Sequence, residues 1–163
     1  MKNRSVILAV TFATALISFA QTPVGLHGLA VYQRNADNLC KAGNYENALT
    51  TYQYVLTQRL PKQGNRHHDI GVIYNNMGVA FYFSGENKKA TEAYEAALKV
   101  ILPKRGQQHP DIATIRCNLA FVLEAESKYD KAHELYEQAL QIRLRAYGDA
   151  HPDVADCHEG IGL

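Results

Sequence analysis

The sequence predicts an all-α fold, an α-solenoid of antiparallel helix pairs, and three observations carry that expectation. The stretch Thr91 to Leu102, T-E-A-Y-E-A-A-L-K-V-I-L, recurs 42 residues later as H-E-L-Y-E-Q-A-L-Q-I-R-L, with Glu92/Glu134, Tyr94/Tyr136, Glu95/Glu137, Ala97/Ala139, Leu98/Leu140 and Leu102/Leu144 identical in type. A weaker copy lies 42 residues upstream, where Tyr52, Leu56 and Leu60 take the places of Tyr94, Leu98 and Leu102. The joints His67-His68-Asp69, His109-Pro110-Asp111 and His151-Pro152-Asp153 repeat with the same period. A fixed period in the range of about 20 to 50 residues marks one supersecondary unit stacked on copies of itself.

In chain order, apolar and small residues at helical spacing (Val31, Ala36, Leu39, with Tyr32) predict a first helix over about 24–42. Gly43-Asn44 reads as a turn, and Tyr45 to Leu60 as a second helix stopped by Pro61. The pair repeats as Asp69 to Ser84, the turn Gly85-Glu86, and Asn87 to Leu102 stopped by Pro103. A third pair covers Pro110 to Glu126 and Tyr129 to Ala146, joined at Ser127-Lys128, with Gly148 after its end. The H-P-D joint at 151–153 opens a seventh helix without a partner helix after it. The expected units are therefore about 26–66, 67–108 and 109–150, with a partial unit at 151–163. Proline suits a first helical turn, where its missing donor has no partner anyway, and aspartate favours the positive helix end. A shared metal site for the joint residues is not expected, because equivalent residues one helix pair apart cannot enter one ~2 Å coordination shell.

The array is preceded by a segment of another kind. Lys2 and Arg4 are followed by an uncharged, mostly apolar run from Val6 to Ala20, and Ser18-Phe19-Ala20 supplies small residues ahead of a cut before Gln21. That is the pattern of a secretory signal peptide over 1–20, leaving 21–163 as the repeat domain and pointing to a periplasmic or secreted protein. An uncleaved membrane anchor is the alternative, although the run is shorter than the ~20 residues a helix needs to cross a bilayer. Overall, 17 basic residues stand against 16 acidic ones, and removal of Lys2 and Arg4 leaves 15 against 16. With no run of five like charges and a near-neutral balance, nucleic acid is excluded as an expected partner. The three cysteines, Cys40, Cys117 and Cys157, read as packing thiols. Cys117 and Cys157 sit at different places in adjacent units, so no bridge between them is expected.

Within each unit the helices must approach closely. Small residues at Ala36, Gly78 and Ala120 on the first helices, and at Ala48, Ala90 and Ala132 on the second, permit it. Leu39, Phe81 and Leu123, and Tyr52, Tyr94 and Tyr136, lie one turn further on and fill the remaining space. This set, preceded by Met77-Gly78 or Leu119-Ala120, resembles the tetratricopeptide repeat. The 42-residue spacing with H-P-D joints and Y-E-x-A-L-x-I/V is most similar to kinesin light chain repeats. The resemblance covers Leu26 to Leu163. It departs at Arg116, where an aromatic or aliphatic residue is usual, and at Val55, where the other units have Ala97 and Ala139.

The first helices carry a second face not used against their own partners: Gln33, Asp37, Cys40 and Lys41; Asn75, Val79, Tyr82 and Phe83; Cys117, Phe121, Glu124 and Ala125. The resemblance implies that these faces line a concave groove for an extended or helical peptide, and that asparagines such as Asn75, Asn76 and Asn118 contact its backbone. Val79, Tyr82, Phe83 and Phe121 would be apolar anchors. Lys41 and Arg34 are too few basic residues to clamp an acidic tail, so a ligand with apolar side chains and few charges is expected.

No catalytic constellation is present. His133-Glu134 is followed by Glu137 where a zinc protease motif needs a second histidine, and G-x-S-x-G, phosphate-cradling glycine loops and C-x-x-C are absent. The sequence thus leads to a non-catalytic protein–protein interaction module without cofactor or metal, an exported scaffold holding a peptide or partner segment. Two alternatives stand beside it: self-association, as a homodimer through the C-terminal helix, and a fragment of a longer array.

Overall fold

The computed structural model describes residues 25–64 and 67–162, and the expected signal segment at 1–20 lies outside them. The helices are α1 (Leu26–Lys41), α2 (Tyr45–Gln63), α3 (His68–Phe83), α4 (Asn87–Arg105), α5 (Pro110–Ala125), α6 (Tyr129–Tyr147) and α7 (Pro152–Ile161), and the described residues contain no strand. Each helix packs on its neighbours in sequence, pairing α1 with α2, α3 with α4 and α5 with α6, while α7 packs on α6.

Local chemistry sets the ends of these helices. His67, His109 and His151 are the N-cap residues of α3, α5 and α7, and the Nδ1 of each accepts the main-chain N–H of Asp69, Asp111 or Asp153 at 3.3, 3.2 and 3.2 Å. The histidine of each joint is therefore itself the capping acceptor, in a role more often filled by Ser, Thr, Asp or Asn.

At the opposite ends, the expectation that Pro61 and Pro103 stop α2 and α4 is corrected, since both lie inside their helices. The stop is made by Gly64, Gly106 and Gly148, which adopt φ of 74°, 76° and 80° and donate their N–H to Leu60, Leu102 and Leu144 carbonyls. In the third unit Arg145 replaces the proline, yet α6 ends at the equivalent glycine. A left-handed residue, not a missing donor, terminates the helix.

The core forms where the paired helices are thinnest. Tyr52, Tyr94 and Tyr136 are 1, 2 and 0 % exposed, and Ala36, Ala48, Ala90 and Ala120 are fully buried beside them. In the second unit a Cβ added to Gly78 would come within 2.5 Å of the Tyr94 ring, so glycine there lets the aromatic approach the backbone. Val55 is wholly buried, as Ala97 and Ala139 are. Tyr74 and Phe81 pack against both halves of the core, so burial is continuous from unit to unit, as stacking repeats require.

Across units, α1 touches α3 and α3 touches α5, whereas the second helices make no comparable contact with one another among the described residues. Helices packed more closely on one side curve the stack towards that side, which places the first helices on the inner surface.

The turns inside the units carry a left-handed residue at Gly43 (φ 76°), Gly85 (φ 83°) and Ser127 (φ 60°). Serine has a side chain that this conformation disfavours. Ser127→Gly is expected to stabilise the protein by about 0.5–1 kcal/mol, read as an increased urea midpoint at unchanged slope.

Candidate binding groove

The inner surface is organised by a ladder of side-chain hydrogen bonds across three helices. Asn118 Nδ2 on α5 donates to Asn75 Oδ1 on α3 at 3.0 Å, Asn75 Nδ2 donates to Asn76 Oδ1 at 3.2 Å, and Asn76 Nδ2 donates to Asp37 Oδ1 on α1 at 3.0 Å. Tyr52 Oη donates to the same Asp37 oxygen at 2.6 Å. All the donors point towards one carboxylate, and bonds aligned head to tail polarise and strengthen one another. The asparagines are half-buried, so mutual bonding is how they satisfy themselves without water.

At the carboxylate end, Asp37, Cys40, Lys41, Tyr52, Asn76 and Val79 line an open cavity of about 320 Å³. Of the residues expected in the groove, Asp37, Lys41, Asn76 and Val79 thus come together, and Gln33 lies half-buried one turn before Asp37 on α1. Next to them, Tyr82 packs edge-on against Phe83 at 5.3 Å between ring centroids, and Phe83 stacks on Tyr45 at 5.9 Å. Phe83 remains 60 % exposed, which makes this aromatic group available to a ligand. Tyr45 opens α2 and shows no helical periodicity with the first-helix face, so the sequence did not point to it.

Further along, Phe121 meets the Tyr136 ring edge-on at 5.6 Å, and Glu124 accepts the Tyr136 hydroxyl at 2.9 Å. Glu124 also borders a separate hollow of about 500 Å³ formed with Tyr129, Asp130, His133, Gly160 and Ile161. Cys117 is corrected out of the groove. It is 4 % exposed, covered by α7, and its sulfur lies 3.5 Å from that of Cys157. The two thiols are in contact but free, so no bridge joins them, although they lie closer than their unlike positions in adjacent units suggest.

Burial, and secondarily the Asp37 charge, push the Cys40 thiol up, so it stays protonated and non-nucleophilic at neutral pH. The described residues hold no group of three or more His, Cys, Asp and Glu side chains placed to share a metal ion, and none of their helices is long and apolar enough to cross a membrane.

The tetratricopeptide repeat family model matches residues 29–101 and 111–163, and the chain belongs to that family. Such repeats generally mediate protein–protein interactions and are typically non-catalytic. None of the curated proteins matches it in sequence. Among solved structures, BtubC (BKLC) from P. vanneervenii is 26 % identical, with a TM-score of 0.70 over 84 % of this chain and 53 % of that one. A putative kinesin light chain from Podospora anserina with nearly identical repeats is 18 % identical, with a TM-score of 0.70 over 87 % and 69 % of the two chains. The TPR2AB domain of yeast Sti1, in a pHSP90 complex, is 12 % identical, with a TM-score of 0.62 over 100 % and 57 %. The chain spans about half the length of BtubC. In fold, the repeats are similar to those of the putative kinesin light chain.

The buried tyrosines of the three units have a consequence for alkaline stability. Burial raises the Tyr52, Tyr94 and Tyr136 phenols far above their usual range, with further upward pushes from Asp37 on Tyr52, Tyr82 on Tyr94 and Glu124 on Tyr136. The unfolded phenols lose their protons near pH 10 while the folded ones keep them, so stability is whole below about pH 10 and falls above it. Urea midpoints measured from about pH 8 to 11 should show this fall, and Tyr94→Phe should make it shallower.

Proposed function

We propose that the inner surface of α1, α3 and α5 binds a peptide segment of a partner protein, and that the protein acts as a non-catalytic scaffold in an exported compartment. The observation that carries the reading is the asparagine ladder ending on Asp37 at the wall of an open cavity. Each amide has spent one donor on its neighbour and keeps a second N–H for a peptide backbone. Val79 and the Tyr82–Phe83–Tyr45 group offer apolar contact beside those donors, and Lys41 and Asp37 balance each other in charge. That combination suits a peptide with apolar side chains and few charges. The Sti1 domain, seen in a pHSP90 complex, lends support from a related fold. Ordering a flexible peptide costs entropy, so affinity of roughly micromolar class is expected.

Export rests on the basic start, apolar run and Ser18-Phe19-Ala20 of the sequence.

Panning random peptide libraries on the immobilised chain, followed by calorimetry, tests the binding. Selected peptides should be rich in apolar residues, and Val79→Glu and Phe83→Ala should each weaken them at least about tenfold with little change in melting temperature. Binding indifferent to both substitutions would overturn the groove. In fractionated native cells the chain should lie outside the cytoplasm and begin at Gln21, as N-terminal sequencing would read; a retained Met1 would remove the cleavage, and a chain found wholly in the cytoplasm would remove the export reading.

A further inference from the structure

The inner helices end in a feature that the groove does not use. Cys117 on α5 and Cys157 on α7 are 4 and 0 % exposed, and their sulfurs are 3.5 Å apart. Cys157 stands where the preceding units have Ile73 and Ile115, so a thiol replaces a branched apolar side chain at a core position. A buried arginine adjoins it. Arg143 is 5 % exposed, its Nη1 lies 3.3 Å from Cys157 Sγ and donates to the Asp153 carbonyl at 2.6 Å, and its Nε is buried without a hydrogen-bond partner.

The equivalent arginine of the first unit behaves differently. Arg59 is also buried, but its Nη1 pairs directly with the Asp69 carboxylate. Arg143 comes no nearer than 3.8 Å to the Asp153 carboxylate and turns to the sulfur instead. The Asp153 carboxylate offsets the buried guanidinium only at that longer distance, and a Cys157 thiolate would place a second anion directly against Nη1.

We propose that Cys117 and Cys157 are a thiol–disulfide exchange site, in which Cys157 attacks a low-molecular-weight disulfide, Cys117 resolves the product, and the resulting bond staples α7 to α5. In the first step the Cys157 thiolate attacks one sulfur of the small disulfide, the S–S bond breaks, and one small thiolate leaves and takes a proton from solvent. In the second, the Cys117 thiol gives its proton to solvent as its sulfur attacks Cys157, expelling the second small thiolate, which is protonated in turn. Two protein thiols are oxidised by two electrons and one disulfide is reduced to two thiols.

The division of labour follows from the surroundings. The Cys117 hydrogen bond and the Arg143 charge hold the Cys157 thiol below its usual range against burial and the Asp156 charge, whereas the contact with Cys157 and burial push the Cys117 thiol up. Closure to the ~2.05 Å of a disulfide requires the sulfurs to approach by roughly 1.5 Å. Both sulfurs are buried, so α7, packed chiefly on α6, must first swing away from α5 to admit the small disulfide to Cys157 and then close for the second step.

The test equilibrates the purified chain with glutathione disulfide and glutathione, blocks remaining thiols with iodoacetamide, and maps the products by mass spectrometry. The expected result is one intramolecular link between the Cys117 and Cys157 peptides, Cys40 alkylated, and a melting temperature raised by at least about 5 °C. Cys117→Ser should stop at a mixed disulfide of Cys157 with glutathione. Arg143→Gln should raise the pH midpoint of Cys157 alkylation, with Arg143→Lys restoring it in part. Three alkylated thiols in the wild-type chain after oxidation, or links formed only through Cys40, would overturn the proposal.

Discussion

Everything in this structure depends on one contact made again in each repeat, a tyrosine of the second helix set against the small residues of the first. Tyr52, Tyr94 and Tyr136 are among the largest fully buried side chains, and Gly78 shows how little room is left beside one of them. Where backbones approach so closely, interior packing density leaves no tolerance for a displaced ring. The same rings reach through to the inner surface. Through their hydroxyls, Tyr52 fixes Asp37 and Tyr136 fixes Glu124, so the core directly orients polar groups that face the groove. Fold and site share the same residues.

The polar inner face is correspondingly particular to each unit. At the Asp37 position the second and third units have Val79 and Phe121, and the Tyr136 hydroxyl finds its acceptor one turn later, at Glu124. Identical scaffolding therefore carries a surface that changes along the stack: charged and amide-rich at the start, aromatic in the middle, and closed by the Cys117–Cys157 contact under α7.

Most of the architecture was legible in the sequence, because a 42-residue period constrains each element three times over. The helix pairs, the tight turns at Gly43 and Gly85, and the tyrosine positions all follow from it. Contacts between units were not legible. Neighbouring first helices meet at offsets of 39, 40 and 43 residues in the pairs Asp37–Asn76, Cys117–Cys157 and Asn75–Asn118. Comparing like positions at 42 therefore hides true neighbours. That displacement is why Cys117 was expected in the groove and its contact with Cys157 was not. The helix stops were misassigned for another reason: Pro61 and Pro103 are conspicuous, while the repeated Gly64, Gly106 and Gly148 carry the left-handed backbone that ends each helix.

The central claim is that the inner face of the first helices is where another polypeptide lies. Amide chemical-shift mapping of the labelled chain, titrated with a library-selected peptide, addresses it most directly. Shifts should concentrate at Asp37, Cys40, Asn76, Val79 and Tyr82. Shifts concentrated instead on the outer positions Gln53, Glu95 and Glu137 of α2, α4 and α6 would contradict it.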